Sequence, residues 1–292
     1  MSSNGISSRR AWKGPRRPLA WLGDPDRFKA TQVRGLVNGH GWHERSSVRR
    51  MKRVIVLSGV TVVAILCLAV GGRQIARSRT FQFFSRPVAR VTTTDSVVAL
   101  TFDDGPTTAR VDSILEMLSA RRVRATFFLI GNEIASAPAA ARALVAAGHE
   151  IGNHTSTHAH MIFRTTGTYR AEITRTDSLL RAAGAREPIF FRPPYCYKLI
   201  GLPYVLWRMG RTTVTWDVEP ESFAAVVRTP DGIVRHVLSR VRPGSIILLH
   251  PWYPGGVTTR AAIPVLIDSL RARGYAIETV SGLLAHEKHH ER

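Results

Sequence analysis

Asp103 and Asp104 stand side by side in "ALTFDDGP" (99–106), where an apolar run gives way to a Gly-Pro turn. Adjacent carboxylates repel each other and resist burial, so such a pair needs a cation or a cationic side chain nearby. Further along, "HTSTH" carries His154 and His158 four positions apart. On a helical turn, residues i and i+4 share a face, so both imidazoles can reach one ion. Two imidazoles and one carboxylate leave positions open for water and substrate, the pattern of a catalytic rather than a structural metal. His160 is an alternative second imidazole, but its spacing from His158 does not suit one helical face. Hydrolysis at such an ion also needs a base for the attacking water and an acid for the leaving group. His250, closing "SIILLH", is the candidate acid, and Arg192, after "IFF", can pair with a carboxylate and hold it ionised.

These residues share a position in the pattern of elements. "SVVALTF" (96–102) is a continuous apolar run, as expected of a strand buried on both faces. Strand-like segments recur at 125–131, 150–154, 188–194, 212–218, 245–250 and 275–280. They alternate with helical patterns at 109–123, 137–149, 169–185, 199–210, 231–241 and 260–274. Alternation of this kind predicts parallel βα units, and about seven of them suit one barrel-like α/β domain. In such barrels function collects at the C-terminal ends of the strands. Asp103–Asp104, His154, Arg192, Asp217 and His250 all fall there.

The chain has 292 residues and a net charge of +20. Residues 1–95 hold 18 basic and 4 acidic side chains, so most of the excess sits at the front. That distribution fits membrane topology better than nucleic-acid binding, and no nucleic-acid partner is expected. "VIVLSGVTVVAILCLAV" (54–70) carries no charge and comes after Arg49, Arg50, Lys52 and Arg53. It reads as a signal anchor or a cleaved signal peptide, and either one exports the downstream domain. The division expected is a basic leader at 1–50, disordered or lying upstream of a true start at Met51; the anchor or signal at 51–72; a polar linker at 73–95; the catalytic domain at 96–285; and a polar tail at 286–292. Cys67 and Cys196 are not expected to pair, and the domain is expected to be monomeric.

"TFDDGP", "HTSTH", "RPPY" and "LLH" occur here in the order and at the strand ends in which they mark the NodB-homology polysaccharide deacetylases, carbohydrate esterase family 4. The resemblance covers residues 96–283. It implies a distorted (β/α) barrel and a divalent ion, usually zinc, although the ligand set also accepts cobalt, nickel or manganese. The implied reaction removes N-acetyl groups from a chitin-like or cell-wall polysaccharide. Peptidoglycan is the expected polymer, because export puts the domain beside the wall. By position, Asp103 is the general base and Asp104, His154 and His158 hold the metal. Arg192 orients Asp103, and His250 is the general acid. Pro194, Tyr195, Trp216, Leu248 and Trp252 are the candidate substrate-binding residues.

Three departures stand out. "WDVEPESF" (216–223) replaces the family's aspartate-rich motif, leaving Asp217 or Glu219 as the carboxylate that tunes His250. Phe223 replaces a groove tryptophan. Cys196 stands where glycine is usual, as an extra ligand or as a small residue in a turn. Trp252 and Tyr253 come after His250, either stacking on sugar rings or packing their loop. Two other readings stay open: an O-acetyl esterase or small-amide hydrolase on the same barrel, and a non-catalytic glycan-binding protein.

Overall fold

The structure is a computed structural model that describes residues 40–287. The expectations for most of the leader and for the end of the tail lie outside the described residues. Residues up to Leu66 and residues from Cys67 onward form two compact units. The described residues of the first unit, 40–66, are helical and belong to α1 (His40–Ala76). Ser47–Ala76 is 30 residues long with a mean hydropathy of 2.7, enough by length and composition to cross a membrane. Its Leu57, Val60, Leu66 and Leu68 side chains are exposed, as befits a helix made for an apolar surrounding.

The second unit is built on the strands β1 (Val97–Asp103), β2 (Thr126–Leu129), β3 (Glu150–Asn153), β4 (Ile246–Leu249) and β5 (Ala276–Glu278). All pair in parallel, in the order β3-β2-β1-β4, with β5 alongside the start of β1. Between them run α2 (Thr108–Ser119), α3 (Gly131–Ser136), α4 (Pro138–Ala146), α5 (Thr166–Ala182), α6 (Gly201–Arg208), α7 (Pro230–Leu238) and α8 (Val257–Ala272). Helix α9 (Val280–Leu284) comes after β5. The strands expected at 188–194 and 212–218 shrink to single bridges: Asn153–Phe191, Phe191–Thr213 and Val218–Ile247. Those bridges complete a distorted barrel. Prolines at 193 and 194, which lack an amide donor, break the first of these runs.

The alternation of a strand places the chemistry. Val98, Leu100 and Phe102 face outward into the core shared with α2, α4, α7 and α8. Val97 and Ala99 face inward with Phe128, Ile246 and Leu248. A period of two puts Thr101 and Asp103 on that same inner face, near the strand's C-terminal end.

Residues 73–95 are not a free linker. Ala76 and Val91 are buried, Val88 bridges Val214 and Arg90 bridges Ser245. The polar composition hid this because the backbone, not the side chains, makes the pairing.

Trp252 is 1% exposed and packs 5.8 Å from the Phe127 ring in the outer core. It fills the space beside Gly105, where a Cβ would sit 2.4 Å from the indole. Of the two readings left open for Trp252, this burial supports packing over sugar stacking, against its place among the candidate substrate-binding residues. Trp252→Phe should cost about 1–2 kcal/mol, read as a lower Tm, and leave KM for glycan unchanged. A raised KM at unchanged Tm would restore the stacking role.

Candidate active site

Arg192 is fully buried inside the barrel. Its Nη1 donates to Asp103 Oδ1 at 2.6 Å and to Thr101 Oγ1 at 2.9 Å. Its Nε and Nη2 donate to the carbonyls of Val214 and Thr215, and its guanidinium lies 3.9 Å from the Phe128 ring centre. A planar fork held at four points cannot turn, so it fixes the orientation of Asp103 and stabilises its charge.

Asp104 turns the other way. It adopts a left-handed backbone, φ 74°, at the point where the chain leaves β1. Its Oδ1 is buried without a hydrogen-bond partner, 3.7 Å from His154 Nε2 and 3.3 Å from His158 Nε2. Burial pushes the Asp104 carboxyl up to about 7, with Asp103 adding to it and His250 opposing. Burial also lowers His154 to about 4 and lowers His158, so both imidazoles are neutral near pH 7. The His154 Nδ1–H donates to the Arg192 carbonyl at 2.8 Å, which leaves the Nε2 lone pair free on the side of the two aspartates, 3.7 Å from both Asp104 Oδ1 and Asp103 Oδ2. One orphaned carboxylate oxygen facing two neutral imidazole nitrogens, all within 4.8 Å of one another, is a donor set fitted to a divalent cation.

The two histidines do not share a helical face. Residues 154–163 form an irregular loop, in which Thr155 and His158 both have positive φ. Side chains shape the loop. Asn153 Oδ1 accepts from the Thr155 amide, Thr155 Oγ1 from the His158 amide, and Glu172 Oε2 from the amides of Ser156 and Thr157. The spacing of four thus works through Asx- and Thr-type turns rather than a helix. His160 lies outside the cluster and stacks between Tyr195 and Tyr197.

The carboxylate on His250 is neither Asp217 nor Glu219. Glu221 Oε2 meets His250 Nδ1 at 2.5 Å, and the same carboxylate takes a hydrogen bond from Thr259 at the start of α8. Burial lowers His250, but the Glu221 hydrogen bond and charge, with Asp103 and Asp104, raise it to about 9. Asp217 instead accepts from Ser245 Oγ and the Ile246 amide, pinning β4. Glu219 takes Arg79 Nη2 at 2.5 Å and the Trp216 indole N–H at 3.0 Å. Glu221 was the missed residue. The signal for it was a third carboxylate in "WDVEPES" (216–222), one position from where the family's motif would put it.

A cavity of about 750 Å³ opens over these groups, lined by Asp103, Asp104, His154, His158 and His250. Of the candidate substrate-binding residues, Tyr195, Trp216 and Leu248 line it, whereas Pro194 is buried and does not line it. Tyr253 lines it in place of Trp252 and donates to Glu133. Cys196 lines the same cavity but is not one of the clustered donors; its Sγ contacts the Ser78 carbonyl and Lys198 Nζ, and both cysteines are free.

Residues 90–213 match the family model for polysaccharide deacetylases. The chain is 35% identical over 198 residues to a chitooligosaccharide deacetylase of Bradyrhizobium sp. (strain ANU 289), covering 64% of this chain and 90% of that one. The chain belongs to the polysaccharide deacetylase family. A peptidoglycan-N-acetylglucosamine deacetylase of Bacillus cereus is 30% identical over 204 residues, covering 66% of this chain and 90% of the relative. Among solved structures, the Bc1960 peptidoglycan N-acetylglucosamine deacetylase superposes with a TM-score of 0.64 at 28% identity, covering 69% of this chain and 94% of that one. BA3943 from Bacillus anthracis, a pseudoenzyme of carbohydrate esterase family 4, gives a TM-score of 0.62 at 26% identity over 69% of this chain and 70% of that one. A mutant of it with restored activity gives 0.63. Likeness of fold therefore does not separate active deacetylases from inactive ones; the rim residues must.

Proposed function

We propose that this chain is a membrane-anchored, metal-dependent deacetylase that removes N-acetyl groups from a cell-wall polysaccharide outside the cytoplasm, with peptidoglycan favoured over chitin-like chains. The observation that carries the reading is the split between the paired aspartates. Asp103 is clamped by Arg192, while the Asp104 oxygen is left unsatisfied before two neutral imidazoles.

Asp104, His154 and His158 would hold the ion, with zinc the first choice and cobalt, nickel or manganese also suited to the donors. When bound, such an ion supplies Lewis-acid polarisation of the amide carbonyl and a lowered pKa for water, to about 7. Asp103 takes the proton from the attacking water with Oδ2, because Oδ1 is committed to Arg192. In this reading a backbone amide near Tyr195, in the left-handed turn of Tyr195 and Cys196, donates to the developing oxyanion. His250 is cationic near pH 7 and gives its Nε2 proton to the departing amine, while Glu221 holds Nδ1. Leu248 and Trp216 form the apolar floor for the acetyl methyl. Acetate and a free amino sugar result.

The test is mass spectrometry of peptidoglycan fragments, chitooligosaccharides and O-acetylated xylan after incubation with the zinc-loaded chain. Loss of an acetyl mass from the N-acetylated glycans is expected. Release from the O-acetylated glycan alone would make it an esterase. Binding without any release would make it a glycan-binding protein.

A further inference from the structure

The segment that enters the barrel domain brings three arginines into the cavity. Arg73, Arg77 and Arg79 line it together with the Asp104–His154–His158 cluster. The segment is docked on the domain: the Lys198 amide donates to the Ala76 carbonyl at 2.8 Å, Thr215 Oγ1 to the Arg79 carbonyl at 2.6 Å, and Lys198 Nζ to the Ser78 carbonyl. Ala76 is fully buried. Arg73 and Arg77 lie one helical turn apart, hence on one face.

Their charges are not matched alike. Arg79 is paired with Glu219 and lies over the Trp216 ring. Arg73 and Arg77 have no carboxylate partner among the described residues. A run of rings leads from the cluster to Arg77. His158 lies 4.7 Å from Tyr195, Tyr195 lies 4.4 Å from His160, and His160 stacks on Tyr197 at 5.0 Å. The Arg77 guanidinium sits 5.5 Å above the Tyr197 ring. The acids of the same cavity are committed: Asp103 to Arg192, Glu219 to Arg79, and Asp104 to the cation its site is fitted for.

We propose that Arg73 and Arg77 form an anion subsite, so that the preferred substrate is an acidic saccharide carrying a carboxylate or phosphate near the acetamido sugar. The exposed ring of Tyr195, which lines the cavity, offers a face for the intervening sugar. The guanidinium groups offer forked donors that match either oxyanion. The inference rests on the deacetylase reading for the chemistry at Asp104 but not for the binding of the anion.

The experiment compares three N-acetylated saccharides of equal length: neutral, lactyl carboxylate-bearing and phosphate-bearing. The full chain in detergent, loaded with zinc, is assayed for acetate release, and binding of each saccharide is measured separately by calorimetry. One acidic saccharide should exceed the neutral one by about tenfold in kcat/KM and in affinity at low salt, with the gap closing at high ionic strength. Which acid wins tells carboxylate from phosphate. Arg73→Ala/Arg77→Ala should bring the acidic-to-neutral ratio close to one, and Arg77→Lys should keep part of it. Equal handling of all three saccharides by the wild type overturns the subsite. So does a double variant that keeps the ratio, or one that loses only affinity for anionic phosphatidylglycerol vesicles. Charge-selective binding without acetate release supports the subsite and sinks the deacetylase reading. Acetate release without charge preference does the reverse.

Discussion

Asp103→Asn abolishes turnover and spares the metal; Asp104→Asn loses both. For Asp103 the expected fall in kcat is about 10²–10⁴-fold, the usual worth of a positioned base. Zinc content, read by elemental analysis after dialysis, stays at the wild-type level. Asp104→Asn removes the one anionic donor of the cluster, so zinc content and activity fall together. Thermal melts separate the pair further. In the cation-free chain the Asp104 carboxyl titrates near 7, above the value near 3.8 of an exposed carboxyl. Between those values the native state binds a proton that the unfolded state does not. Stability from this group is therefore present at low pH and lost as pH rises towards 7. At pH 8 cation-free Asp104→Asn should melt above cation-free wild type, because it buries no unpaired charge. It should gain little from added zinc, where wild type gains much. If both variants keep zinc equally, the assignment of the two aspartates is wrong.

Glu221→Gln should move the alkaline limb of the rate profile downward. In the proposed mechanism His250 gives up a proton only while cationic, so activity should be lost as pH rises through its pKa. That value sits near 9 through the Glu221 hydrogen bond and charge, opposing burial. With glutamine in place, burial dominates and the limb should fall by about 1–2 pH units. The loss of kcat should be modest at pH 6 and large at pH 8.5. His250→Ala should lose about 10²–10⁴-fold throughout the range in which wild-type His250 is protonated. Glu221→Asp pulls the carboxylate back by one methylene and should restore part of the limb. An unmoved limb in Glu221→Gln would return the tuning role to Asp217 or Glu219.

The contrast between these residues shows what a sequence can disclose. Asp103 and Arg192 were legible because each ends an apolar run, and the period of a strand decides which way each side points. Glu221 was not, because it lies in a turn whose register no periodicity fixes. Its partner is set by where α8 begins, far along the chain. Trp252 looked like a sugar platform because it sits just past His250 in an aromatic pair. Its direction depends on the hole that Gly105 leaves, a tertiary fact. The spacing of His154 and His158 pointed to the right cluster for the wrong reason: four residues close one face of a helix, but a tight polar loop closes the same distance. The packing of 76–91 was hidden because main-chain bridges leave no trace in composition.

Asn153 has a consequence beyond the loop it shapes. Its amide nitrogen holds the Ile173 carbonyl and Asp177 on α5, its side-chain oxygen holds Thr155, and its carbonyl holds the Arg192 amide. One buried amide side chain and its own peptide group thus join the loop that carries His154 and His158 to the Arg192 clamp on Asp103. The two halves of the chemistry are not independently adjustable parts. A change that loosens one loosens the other, so intermediate variants with a good ion site and a stray base, or the reverse, should be rare when this position is randomised.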